Sequence, residues 1–196
     1  MADQLLTGTT LVEKESRSAG DITIGGIIEF DDTYSNVPDG FNLCDGSTIN
    51  DSRSAYNGVA VPDLNTDYLT VAGASFTELS NTSATVSWDA SGTLLSGDAG
   101  EAVATIQIPN GSKVTGAVLY GSSATPTWLL KRKTLSGGAV STMATANNNT
   151  EDTTISNETI DNDTYTYVFS CSHSDSNIYG ARITYTPRFK FIIRIR

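Results

Sequence analysis

Apolar and polar positions alternate with a period of two through most of the second half of the chain. Ala102, Ala104, Ile106 and Ile108 are separated by Val103, Thr105 and Gln107, and the same beat runs through residues 114–120, 165–171 and 179–185. That period marks a strand with one buried face. Between the runs stand Pro109-Asn110-Gly111-Ser112, Gly121-Ser122-Ser123, Ser136-Gly137-Gly138 and Ser174-Asp175-Ser176-Asn177, residues that favour turns. Short strands at such spacing predict an antiparallel β-sandwich, jelly-roll-like, over residues 75–186. Residues 145–159 are polar and predict a loop, or a loop around one weak strand.

The first third of the chain has a different texture. A short apolar run, Gly25-Gly26-Ile27-Ile28-Glu29-Phe30, precedes Pro38-Asp39-Gly40-Phe41-Asn42-Leu43-Cys44-Asp45-Gly46-Ser47 and then Pro62-Asp63-Leu64. Its punctuation predicts strand, loop, turn, short strand, turn, with Gly40 and Gly46 supplying positive φ. The apolar groups on Phe41, Leu43 and Cys44 belong to a piece too short to fold without a scaffold. At the other end, Phe189-Lys190-Phe191-Ile192-Ile193-Arg194-Ile195-Arg196 is partly apolar on both faces, as a central strand requires.

Gly-Ile-Ile-x-Phe, then Pro-x-Gly-Phe-x-Leu-Cys-Asp-Gly-Ser, then Pro-Asp-Leu, with an ending of the type Phe-Ile-Ile-Arg-Ile, resembles the phage tail collar (short tail fibre) family. The resemblance covers residues 20–66 and the C-terminal strand. It implies an all-β chain in which residues 21–70 and 187–196 form a small collar-like module carrying the sandwich as an insertion. Ile28, Phe30, Pro38, Gly40, Phe41, Cys44, Asp45, Gly46, Pro62, Asp63 and Leu64 are then structural residues of the motif. The resemblance implies a short helix between Cys44 and Pro62, capped by Asp51 or Ser52 and holding Ala55 and Tyr56. It also implies a non-enzymatic virion protein, a homotrimer, contacting other virion proteins. Residues 1–20 are expected to be the attachment segment, docking on another subunit or virion protein; packing on their own domain is the alternative. Head decoration and glycan-binding receptor recognition are the competing roles. After Leu64 the chain departs from the family: Asn65-Thr66-Asp67 stands where members carry a basic run, and His173 is the sole histidine. Histidine-based metal chemistry found in some relatives is therefore not carried over.

Charge narrows the partners. The 196 residues carry a net charge of −10, which argues against general nucleic-acid binding, since that needs a basic surface against phosphate. Residues 1–70 hold twelve acidic and three basic side chains, a net of −9, whereas the last ten residues carry Arg188, Lys190, Arg194 and Arg196 and no acid. A basic final strand beside Glu29, Asp31 and Asp32 would relieve that repulsion. No stretch has the length or apolarity of a membrane span, and the first residues lack a secretory pattern. The expected setting is a virion assembled in a host cytoplasm. Cys44 and Cys171 do not make a disulfide framework and read as small buried hydrophobes.

Few constellations suggest chemistry. His173 lies in a polar turn without a nucleophile elbow. Asp161-Asn162-Asp163 opens like a calcium loop but lacks the later glycine and glutamate. Sequons such as Asn81-Thr82-Ser83 arise easily in a chain this rich in Asn, Ser and Thr. No catalytic, cofactor-binding or metal-ligating residue is assigned, and a polysaccharide depolymerase ranks last for want of paired carboxylates. Lys131-Arg132-Lys133 reads as the end of an edge strand, where charge discourages pairing, or as a contact for an anionic glycan. Tyr120, Trp128, Arg132 and Tyr179 are the candidate glycan or subunit contacts, with Tyr185 a further aromatic of the set; core packing is the alternative for the rings.

Overall fold

The structure, a computed structural model, describes residues 4–7, 10–13, 24–31, 37–79, 86–96, 100–172 and 176–196. Among them the regular structure is β apart from one 3-10 turn at Gly73–Ser75. The strands are β1 (Gln4–Thr7), β2 (Thr10–Glu13), β3 (Ile27–Asp31), β4 (Phe41–Leu43), β5 (Asp67–Ala72), β6 (Thr77–Glu78), β7 (Val86–Trp88) and β8 (Leu94–Ser96). They continue as β9 (Glu101–Ile106), β10 (Lys113–Gly121), β11 (Thr127–Thr134), β12 (Val140–Asn147), β13 (Tyr165–Ser172), β14 (Ile178–Thr186) and β15 (Phe189–Arg194). The chain forms two compact units, Met1–Asp67 with Thr186–Arg196, and Tyr68–Tyr185. The division falls at Asp67 rather than between 70 and 75 because β5 pairs with β14 and so joins the second unit.

The second unit is a sandwich of two five-stranded sheets. One runs β10-β14-β8-β7 with β5 also on β14; the other runs β12-β11-β13-β9-β6. The period of two is realised where the alternation is cleanest: Ala102, Ala104 and Ile106 of β9 are buried, as are Tyr167, Phe169 and Cys171 of β13. These meet Ala117 and Leu119 of β10 and Ile183 and Tyr185 of β14 in one apolar core. Trp128 and Phe169 pack with ring centroids 5.2 Å apart, and Phe76 meets Phe169 edge-on at 6.4 Å, a preferred aromatic arrangement. β14 breaks phase at Gly180, so that Ile178 and Ala181 are both buried.

Residues 148–160 are not a free loop. They lie along β10, where Asn149 N–H donates to Leu119 O (2.7 Å), Ala117 and Asp152 exchange bonds of 2.9 and 3.0 Å, and Ile160 N–H donates to Ser112 O (2.8 Å). A strand at the end of its sheet is thereby covered, which removes an open ladder. Lys131-Arg132-Lys133 corrects the other way. β11 pairs with β12 and β13 on its two sides through these residues, so the triplet lies in an interior strand and edge protection is not its role.

In the first unit β1 and β2 form an antiparallel hairpin. The remainder of residues 1–20, and Ile22 and Asp32, lie outside the described residues. The last strand, β15, is central in the sheet β3-β15-β4, with Ile192 opposite both Ile28 and Leu43. As the charge pattern leads one to expect, the basic last strand lies beside β3, which carries Glu29 and Asp31. Beyond it, Arg196 meets the carboxylates of Asp39 and, at 3.3 Å, Asp51. No helix forms between Cys44 and Pro62. Asp51 Oδ1 takes the N–H of Arg53 at 2.9 Å, closing a local turn that competes with helix, and Tyr56 is exposed.

Gly73 tests the sandwich. A Cβ there would overlap the Ile178 carbonyl and lie 2.9 Å from Leu94 N. Gly73→Ala should lower stability by about 1–3 kcal/mol, read as a fall in the melting temperature of the second unit; an unchanged transition would contradict the packing described.

Candidate functional site

The motif residues converge in the first unit. Pro38 O accepts the Phe41 N–H at 3.1 Å, closing a turn in which Gly40 has φ +86°. A Cβ on Gly40 would come 3.4 Å from Arg196 O, so the glycine also admits the chain end. Asp45 Oδ1 accepts the Ser47 N–H at 3.0 Å, with Gly46 at φ +78°. Asp63 Oδ1 accepts from the N–H groups of Asn65 and Thr66, both at 3.1 Å. Phe30 and Cys44 are buried, Ile28, Pro38 and Phe41 are half-buried, and Pro62 and Leu64 are exposed.

Asn65, which no sequence pattern singled out, ties these pieces to the final strand. Its buried side chain accepts the Phe191 N–H at 2.7 Å and donates to Cys44 O at 3.0 Å and Phe191 O at 3.3 Å. Cys44 N–H reaches Phe191 O at 2.9 Å and Leu64 N–H reaches Cys44 O at 2.7 Å. One turn further, Ser54 Oγ donates to Ile195 O at 2.6 Å. The N–H of Arg53 and then its side chain hold the Asp51 carboxyl below its usual range, which keeps it ionised opposite Arg196. Among the described residues an apolar cluster of Ile49, Val61 and Ile195, with Ile193 against it, lies beneath, and Phe30, Cys44 and Ile192 are buried as well. Ile24, Ile27, Tyr56, Val59, Leu64 and Phe189 of the same unit are exposed.

The candidate contacts of the second unit separate into two groups. Trp128 is fully buried and Tyr185 nearly so, so both belong to the core; a ring on the inner face of an interior strand has no path to a ligand. Trp128 Nε1 is satisfied by Asn147 O at 3.1 Å. Arg132 lies 4.3 Å from the Tyr165 ring centroid and donates to Ser141 Oγ at 3.1 Å. Tyr120 and Tyr179 are exposed, at 38% and 54%. Ser122 N–H donates to Asn177 O at 3.0 Å, and Thr115 Oγ1 donates to Thr184 O at 3.3 Å, so β10 and β14 run antiparallel and the two tyrosines are near neighbours on adjacent strands.

A second feature escaped sequence reading. A groove of about 520 Å³ opens beside β9 and β13, lined by Thr105, Gln107, Leu135, Asn162, Tyr165 and Thr166 among others. An adjoining one of about 500 Å³ shares Thr105, Ile106 and Gln107 and reaches Leu69, Val71 and Ser75. The acidic loop next to it is a turn: Asp161 Oδ1 accepts the N–H groups of Asp163 and Thr164 at 3.1 and 3.2 Å. Among the described residues no group of three or more His, Cys, Asp or Glu is placed to hold a metal ion; His173 lies outside them. No helix there is long and apolar enough to cross a membrane.

Neither a family model nor a curated protein matches the chain. A solved structure, the C-terminal CBM6 of LamC, a marine laminarinase from Zobellia galactanivorans, is similar at 12% identity and a TM-score of 0.38, covering 60% of this chain and 99% of that one. A likeness at this level carries neither fold nor ligand over to this protein.

Two outcomes follow from the buried groups. Ser54→Ala leaves the Ile195 carbonyl without its donor, and the first unit should lose about 1–3 kcal/mol, seen as earlier exchange of the β15 amides; unaltered exchange would contradict it. Burial pushes the Cys171 thiol up to about 12 from an ordinary 9.0. The unfolded chain then gives up this proton first, so the contribution is complete below pH 9 and declines as pH rises toward 12. Chemical denaturation across that range should show the decline, and Cys171→Ala should flatten it.

Proposed function

We propose that this chain is a non-enzymatic structural protein of a virion, a trimeric tail collar or short-fibre-like appendage docked on the particle by its N-terminal part. The observation that carries the reading is the meeting of the motif segments. Strands β3 and β4 and the segment around Cys44 and Pro62 lie far from β15 in the sequence, yet they share one sheet and one hydrogen-bond clamp. The collar resemblance rests on the residues of those same segments. The exposed Ile24, Ile27, Val59 and Phe189 of the first unit support association, because apolar groups left at a surface favour contact with a neighbour. Trimeric closure is what the resemblance implies and is a common solution for identical subunits.

A second reading is glycan recognition by the sandwich, favoured by Tyr120 and Tyr179 standing exposed side by side. Aromatic faces of this kind suit sugar rings, and Arg132 and Trp128 do not join them.

Light scattering of the full chain should return the mass of three copies, and Ile27→Asp, on an exposed position of β3, should shift it toward one copy while the sandwich still melts normally. A stable monomer of the unmodified chain would defeat the trimeric appendage. Labelled antibody against the sandwich should decorate assembled particles, and its failure to do so would defeat the virion role.

A further inference from the structure

We propose that the groove beside β9 is a binding site for an uncharged oligosaccharide. The proposal rests on the glycan reading but assigns it to a different place on the second unit from the tyrosine pair. The groove's volume of about 520 Å³ falls within the range of small-ligand sites. Its lining holds no charged side chain, and neither does that of the adjoining groove, although the chain as a whole carries a net charge of −10. An ionic ligand would meet no charged group in the lining itself, and burying an unpaired charge is costly.

What the lining offers instead is neutral hydrogen-bonding capacity beside apolar surface. The side chains of Thr105, Gln107 and Thr166 make no hydrogen bond to the described residues. Asn162 donates Nδ2 to Ile108 O at 2.9 Å, and its N–H goes to Asn110 Oδ1 at 2.9 Å, which fixes the residue while its Oδ1 stays open to a donor. Tyr165 and the exposed Leu135 supply the apolar wall, and Arg132 over the ring holds Tyr165 in place. Hydroxyls that donate and accept, set on a ring with an apolar face, match this combination, which is the chemistry of a neutral sugar. An extended peptide fits less well. β6 covers β9 at Ala102 and Val103, so among the described residues the Thr105 position is what β9 leaves open on that edge, too little ladder for strand addition.

Amide spectra of the full chain, titrated separately with maltotriose, cellotriose and chitotriose, test this. 3′-Sialyllactose and a Val-Thr hexapeptide serve as charged and peptide probes. The expected result is a saturable shift of the Thr105, Gln107, Asn162 and Thr166 amides by at least one neutral trisaccharide, with Gln107→Ala and Leu135→Ala each weakening it roughly tenfold. Both positions are exposed, so the variants keep the fold. The proposal is overturned if no neutral trisaccharide moves these amides at about 10 mM, or if only the sialylated sugar or the peptide does. Shifts centred on Tyr120 and Tyr179 overturn the groove but leave glycan recognition standing. The mass of the assembly reports on the appendage reading independently of all these results.

Discussion

The first unit exists because one buried amide is satisfied on several sides at once. Asn65 holds both main-chain groups of Phe191 and the carbonyl of Cys44, and with them it fixes the place of β15 between β3 and β4. A buried polar side chain with a missing partner costs about 1–3 kcal/mol, so the arrangement is stable only when all three chain segments arrive together. Around it stand the turn closed at Phe41, the Asx turns at Asp45 and Asp63, and Ile195 seated among Ile49 and Val61. Hydrogen bonding across the sequence organises this part of the unit.

The sandwich is organised on the opposite principle. Its core draws aromatic and branched residues from both sheets, and Trp128, Phe76 and Phe169 lock its centre. Burial of a large apolar side chain is worth about 1.5–3 kcal/mol against exposure, and many such chains share this interior. The cover laid along β10 by residues 148–160 shows how the unit limits pairing at an exposed ladder. It does so with main-chain bonds from a polar segment, beside which Lys113 of β10 pairs with Glu158 at 3.9 Å.

The two principles explain what could be read from the sequence. Where burial alone decides, a period of two is enough: Ala102, Ala104, Ile106, Tyr167, Phe169 and Cys171 stand inside as their alternation predicts. The partly apolar character of both faces of residues 189–196 likewise marks a central strand, and Gly40 and Gly46 take the positive φ that their turns imply. Where a side chain bonds across the sequence, no local pattern exists. Asn65 looks like any polar turn residue, and its partners lie at Cys44 and Phe191. Asp51 resembles a helix cap but closes a turn on Arg53. Trp128 and Lys131-Arg132-Lys133 were ambiguous because composition does not tell an interior strand from an edge; the pairing of β11 on both sides does. The groove beside β9 was invisible for the same reason, since its polar lining joins three loops and strands that only the fold brings together.

The central position of β15 has a consequence for biosynthesis. During translation β3 and β4 leave the ribosome long before the strand that must lie between them, and the whole of Tyr68–Tyr185 is made in the interval. Closing so long a loop costs entropy that grows only slowly with its length, and a sandwich that folds first removes much of that freedom in advance. Until then β3 and β4 have no ladder to share. A message cut short before Phe189 therefore yields a sandwich attached to an open motif, so the first unit closes only once the segment beyond the sandwich has been made.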